Sequence, residues 1–126
     1  MENQTELFKG ELMEEKLRHY FLSNGYYVAR GVKYNFEGNE ITDIDLFLYG
    51  RSSSIARERI NVDIKNKKTP KAFERILWAK GLQVLLKFDS CVVATKDTRE
   101  LIRNYGLKHN TVIFDGNFLE SEATCT

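Results

Sequence analysis

The sequence predicts an α/β fold. A central mixed sheet, an antiparallel three-strand meander plus two further strands, is flanked by helices in the order αβββαβαβ. Three observations carry this. Between Tyr26 and Asn66, three runs rich in β-branched and aromatic residues are separated by short polar or glycine-containing breaks, the signature of sequential hairpin-connected strands. A stretch before them and a stretch after them space apolar residues three and four apart, as one face of a helix requires. Beyond these, Cys91-Val92-Val93-Ala94 is a short, wholly apolar run, the kind of strand buried on both faces in a parallel pair.

In chain order, the first helix is expected from Thr5, a residue suited to the N-cap, to Asn24, with Gly25 just past its end. Gly10, Met13, Leu17, Tyr20 and Phe21 share one stripe of it. Glu14 lies beside Leu17 and Phe21 on the stripe's edge, whereas Glu11 and Glu15 turn toward solvent. Strand one is expected over Tyr26–Tyr34, a turn over Phe36–Glu40, strand two over Ile41–Tyr49, a polar loop over Gly50–Ser54, and strand three over Glu58–Asn66. Thr69 as N-cap and Pro70 at the first helical position then start a helix running to Lys87. Phe73, Ile76, Leu77, Val84 and Phe88 keep its spacing, although Gly81 costs it about 1 kcal/mol against Ala. A strand over Cys91–Ala94, a helix over Asp97–Tyr105 closed by Gly106, and a strand over Thr111–Phe114 follow. Asp115-Gly116 turns the chain, and Asn117–Glu120 is one more helical turn.

At 126 residues the chain is expected to be a single domain, residues 1–126, large enough for its own core. No apolar run approaches the ~20 residues a membrane helix needs, and the acidic start Met1–Glu6 is not a signal peptide. Cys91 sits in an apolar strand and Cys125 near the end, so they are unpromising disulfide partners and a reducing, cytoplasmic setting is expected. The net charge of +1 announces no nucleic-acid partner, but its distribution does. From Arg57 to Lys71 there are six basic residues (Arg57, Arg59, Lys65, Lys67, Lys68, Lys71) against two acids (Glu58, Asp63). Lys67, Lys68, Lys71 and Arg75 are therefore candidate contacts to nucleic-acid phosphates.

The chemistry centres on Asn61-Val62-Asp63-Ile64-Lys65. Alternation sends Asp63 and Lys65 to one face of the strand and the aliphatics to the other. A carboxylate can hold a hard divalent cation through oxygen, and an ammonium beside it can orient a water or meet a phosphate oxygen. Strand two brings a second acid: Asp43 and Asp45 share a face, and either could take part. His19 and His109 lack a partner at metal-ligand spacing, Ser52–Ser54 has no triad context, and Trp78 reads as core or interface.

Taken together, Lys9-Gly10 followed by Glu14, Asn24-Gly25-Tyr26 closing the helix, Ile44-Asp45-Leu46 in a hydrophobic strand and Asp63-Ile64-Lys65 in the next resemble the PD-(D/E)XK nuclease superfamily. The first half is similar to archaeal Holliday-junction resolvases. The second half, through Val112-Ile113-Phe114-Asp115-Gly116, is similar to Mrr-type restriction endonucleases. The likeness spans about residues 7 to 119, with Ile44 where the motif's name has Pro. It implies a restriction endonuclease-like core and a Mg²⁺- or Mn²⁺-dependent endodeoxyribonuclease. Asp45 and Asp63 would be metal ligands, with the Ile64 backbone carbonyl. Lys65 would orient the attacking water, and Glu14 would contribute from the helix, directly or through water. Asp45 fits the pattern better than Asp43, because an unbroken apolar run, Leu46-Phe47-Leu48, follows it. DNA is the implied partner, and the absence of a separate DNA-reading domain makes room for a homodimer or a larger DNA-processing complex. The alternative is a catalytically inactive nucleic-acid-binding or assembly module that keeps the fold.

Overall fold

The computed structural model describes residues 2–51, 54–65 and 71–115, without the side chains of 2–11 and of Lys65. Helix α1 (Glu2–Ser23) leads into strands β1 (Tyr27–Phe36), β2 (Asn39–Arg51) and β3 (Arg57–Lys65). Helix α2 (Ala72–Leu86), strand β4 (Ser90–Thr95), helix α3 (Glu100–Lys108) and strand β5 (Thr111–Phe114) complete the order αβββαβαβ. The five strands form one sheet in the order β1-β2-β3-β4-β5. The first three are antiparallel neighbours, and β3-β4 and β4-β5 are parallel pairs. The expected mixed sheet is therefore present. The parallel pairs require crossovers, which α2 and α3 supply.

Local chemistry explains most boundaries. Gly25 takes φ +90°, the Tyr26 N–H donates to the Phe21 carbonyl at 3.1 Å and the Gly25 N–H to the Leu22 carbonyl at 3.0 Å. This is the Schellman arrangement, and the rings of Tyr26 and Phe21 supply its usual apolar contact, 6.1 Å apart and edge-on. The β1–β2 hairpin turns on Glu37 and Gly38, both at positive φ (47° and 81°), the combination that matches the twist of the flanking strands. Gly50 lies where a Cβ would stand 2.5 Å from the Tyr26 ring, so only glycine lets Tyr26 pack there.

Three expectations need correction. Helix α1 begins at Glu2, not at Thr5, because neither Gly nor Pro interrupts the residues before Thr5. Helix α2 begins at Ala72, with Lys71 in the N-cap position and no side-chain cap bond; the expected caps Thr69 and Pro70 lie outside the described residues. Gly106 does not close α3, which continues to Lys108 before Asn110 takes φ 54°. Gly106 is there for packing: a Cβ on it would sit 2.5 Å from Ile113 Cγ1 and 2.9 Å from the Thr111 carbonyl oxygen. The proposed turn at Gly116 and the helical turn Asn117–Glu120 lie outside the described residues.

The sheet has a core on each face. On one, Met13, Leu17 and Phe21 of α1 cover Leu46, Leu48, Ile60, Val62, Val92 and Ala94. On the other, Ala72, Ile76 and Ala79 of α2 and Ile102 of α3 cover Cys91 and Val93. Because successive residues of a strand face opposite ways, Asp45 and Asp63 belong to the α2 face. The buried stripe of α2 is Ala72, Ile76, Ala79 and Leu82; Leu77 and Val84, expected to join it, are exposed.

Candidate functional site

The β2–β3 register runs from Arg51 paired with Arg57, through Leu48 with Ile60 and Phe47 with Asn61, to its last rung, Leu46 with Val62. One step further along both strands stand Asp45 and Asp63. The last paired rung thus delivers two acids to the same side of the sheet, at the mouth where the strands stop bonding. In place of the missing rung, the Asp45 carboxylate accepts the Ile64 N–H at 2.8 Å. A residue's N–H and C=O leave a strand on the same side, so the Ile64 carbonyl also turns toward Asp45. On the β1 side, Gly31 occupies the place opposite Asp45 between the Arg30–Leu46 and Val32–Ile44 pairs. Its φ of 60° breaks the ladder there, a conformation that glycine takes without strain.

Asp45, Asp63 and Ile64 line one polar cleft with Thr42, Asp43, Arg75 and Trp78. Burial pushes the Asp45 carboxyl up to about 6, and the charges of Asp63 and Glu14 push the same way against the Ile64 N–H bond. Asp63 is buried as well, and both its oxygens are taken. Arg75 Nε donates to Oδ2 at 2.8 Å, and the other arm of the guanidinium pairs with Oδ1. That partner raises the Arg75 pKa, and the Arg75 guanidinium also stands 5.8 Å from the centroid of the Trp78 ring.

The expected site residues fall as follows. Asp45 and Asp63 are brought together, with the Ile64 backbone between them. Asp43 is exposed on the rim of the same cleft. Lys65 is the last residue of β3, in register with Thr95. Glu14 is not brought in. It belongs to α1, on the opposite face of the sheet, and Arg30 Nε of β1 holds its carboxylate at 3.0 Å; it reaches Asp45 only as a charge at a distance. Arg75, expected on DNA, is committed to Asp63. Lys71 is exposed, and Lys67 and Lys68 lie outside the described residues. The basic stretch from Arg57 to Lys71 is not one patch, because β3 separates its ends. Arg59 is tied to the Lys87 carbonyl at 2.8 Å and Arg57 to the Tyr49 hydroxyl at 2.7 Å, about 20 Å of strand away from Lys65. His19 is exposed near Glu15, and His109 packs on Tyr105.

Two residues of the cleft escaped the sequence reading, the partner role of Arg75 and the lining role of Trp78. The spacing Ala72-Ile76-Ala79 could have revealed the first, since it carries Arg75 to the edge of the buried stripe.

Among the described residues, no three His, Cys, Asp or Glu side chains are grouped to hold a metal ion. What the cleft offers a cation is two carboxylates and a backbone carbonyl. This donor set suits Mg²⁺, which takes one or two carboxylates and completes its shell with water and substrate oxygens. Burial first, and then the neighbouring charges of Asp63 and Glu14, oppose ionisation of Asp45, a penalty that a cation in the cleft would relieve, so the residues fit such an ion.

No protein-family model matches the chain, and no curated protein does. Among solved structures, it is similar to a crystal structure of a protein of unknown function, AF1548, at 15% identity and a TM-score of 0.61, over 89% of this chain and 67% of that one. That likeness shows the fold.

Proposed function

We propose that this chain is a metal-dependent DNA endonuclease of the PD-(D/E)XK kind. The observation that carries the reading is the pair Asp45 and Asp63, set by adjacent strands in one polar cleft, with the Asp45 carboxyl held up at about 6. In this reading Asp45, Asp63 and the Ile64 carbonyl hold a Mg²⁺ or Mn²⁺ ion. When bound, the ion supplies a lowered water pKa and a polarised phosphoryl oxygen. Lys65 orients the attacking water and steadies the charge that gathers on the phosphate. Arg75 yields its hold on Asp63 and turns to a phosphate oxygen, for which its planar fork is suited. Lys67, Lys68 and Lys71 contact the DNA backbone. A cytoplasmic setting, where DNA and Mg²⁺ are at hand, belongs to the same reading.

One observation favours the alternative, an inactive nucleic-acid-binding module: Arg75 already satisfies both oxygens of Asp63, as in a purely structural ion pair. A cleavage panel of branched, linear duplex and single-stranded DNA with Mg²⁺ and with Mn²⁺ separates the two. The endonuclease reading expects metal-dependent nicking of at least one substrate, lost on chelation. DNA binding without cleavage under every condition would leave the inactive module.

A further inference from the structure

The cleft that holds Asp45 and Asp63 also holds one aromatic ring among the described residues, that of Trp78. Trp78 is outside the buried stripe of α2 and is 46% exposed. It follows Arg75 by three, so both side chains leave the helix on the same side. Arg75 links the ring to the acids. Its Nε donates to Asp63 Oδ2 at 2.8 Å, and its guanidinium carbon stands 5.8 Å from the indole centroid, within cation–π range. The indole centroid is therefore no more than about 10 Å from the Asp63 carboxylate. A cation held by carboxylates and water has no use for a broad aromatic wall at that distance. A nucleotide does, because it brings a base along with its phosphate.

We infer that Trp78 is a stacking platform for an unpaired base, and that the substrate class is DNA with an unpaired nucleotide next to the phosphate held at Asp45 and Asp63. The inference rests on the endonuclease reading for the place of that phosphate. Aromatic side chains hold bases by their π faces, whatever the base. Inside a duplex those faces are covered by the neighbouring pairs, and exposing one means losing stacking and pairing. A nucleotide in a flap or a single strand has no pairing to lose, so it is the one whose base reaches an indole at the rim of the cleft without a penalty. Arg75 couples the two events. When its guanidinium turns from Asp63 to a phosphate oxygen, it also leaves the ring it now approaches. The arrival of the phosphate thus frees the platform for the adjoining base. The acids specify no base, and stacking specifies none either, so the preference is for unpaired structure and not for sequence.

Trp78 is the chain's single tryptophan, so tryptophan fluorescence reports this one position. The test titrates the whole chain in Ca²⁺, a hard cation held through oxygen as Mg²⁺ is, with four DNAs. These are a fully paired duplex, the same duplex with a single-stranded flap, the same flap with its bases removed, and a single strand. Binding is followed separately through a dye on the DNA. The intact flap and the single strand are expected to quench the tryptophan. The duplex and the abasic flap, which keeps every phosphate, are expected to leave it nearly unchanged. Trp78→Ala, checked by circular dichroism, is expected to bind the flapped DNA about tenfold more weakly, the scale of one lost base stack, and the duplex as the wild type does. Trp78→Phe keeps a ring and is expected to stay within about threefold of the wild type. DNA that binds without quenching, equal quenching by the intact and abasic flaps, or undiminished flap binding by Trp78→Ala would overturn the inference and leave the endonuclease reading standing. Failure of all four DNAs to bind would overturn both.

Discussion

Replacing Asp45 by Asn should stabilise the protein, and by an amount that grows with pH. The folded carboxyl titrates at about 6 against an ordinary value of 3.8, because burial first, and then the charges of Asp63 and Glu14, oppose its ionisation. A carboxyl whose pKa is raised by folding contributes stability that is fully present below 3.8 and lost as pH rises through about 6. At pH 7.5 the wild type carries the whole penalty, which for a shift of this size is at most about 3 kcal/mol. Asn keeps the shape of the side chain, and its amide oxygen can still accept the Ile64 N–H. The attraction of Arg75 is already contained in that shift, so the expected gain is about 2–3 kcal/mol, or roughly 8–12 °C in melting temperature for a domain of this size. Urea unfolding of both proteins at intervals from pH 4 to pH 8 would show the gap opening between about pH 4 and pH 7 and flat above. A gap that does not change with pH, or an Asn variant less stable at pH 7.5, would refute the claim that the Asp45 charge is confined there unwillingly.

Arg75→Gln leaves the buried Asp63 carboxylate without its guanidinium, at a cost of about 3 kcal/mol. Added Mn²⁺ should then raise the melting temperature of the variant more than that of the wild type, because the cation no longer competes with Arg75; an equal rise in both would deny the competition. Gly106→Ala should cost about 1–3 kcal/mol in denaturant unfolding, since its Cβ would press on Ile113 and on the Thr111 carbonyl; an unchanged stability would mean that this contact relaxes freely.

The sheet was legible because strands β1 to β3 carry period-two patterning and the middle of β4, Cys91–Ala94, is wholly apolar, as suits a strand covered on both faces. The end of α1 was legible for a different reason: Asn24-Gly25-Tyr26 is a capping sequence whose work is local. Its start was not, because a threonine near a terminus is a cap only if the chain before it leaves the helix. Gly106 was misread since a glycine that ends a helix and one that lets a strand approach look alike in sequence; Ile113 decides, and it lies on the next element. At the site, alternation placed Asp45 and Asp63 on one face. Glu14 illustrates the limit: a helical wheel shows that it leans inward, but not that Arg30 is waiting across from it on β1. The basic stretch misled for the converse reason, because residues close in sequence are carried far apart by an extended strand.

The most direct test of the central claim is single-turnover cleavage of a DNA substrate in Mg²⁺ by the wild type and by Lys65→Ala, with Mn²⁺ binding followed by calorimetry on the same preparations. Cleavage by the wild type should fall by roughly two to four orders of magnitude in the variant, the scale expected for losing a group that positions or transfers a proton, while Mn²⁺ binding persists or tightens as a nearby positive charge is removed. Cleavage by Lys65→Ala at the parental rate, or a wild type that binds no Mn²⁺ and cuts no DNA, would contradict the account.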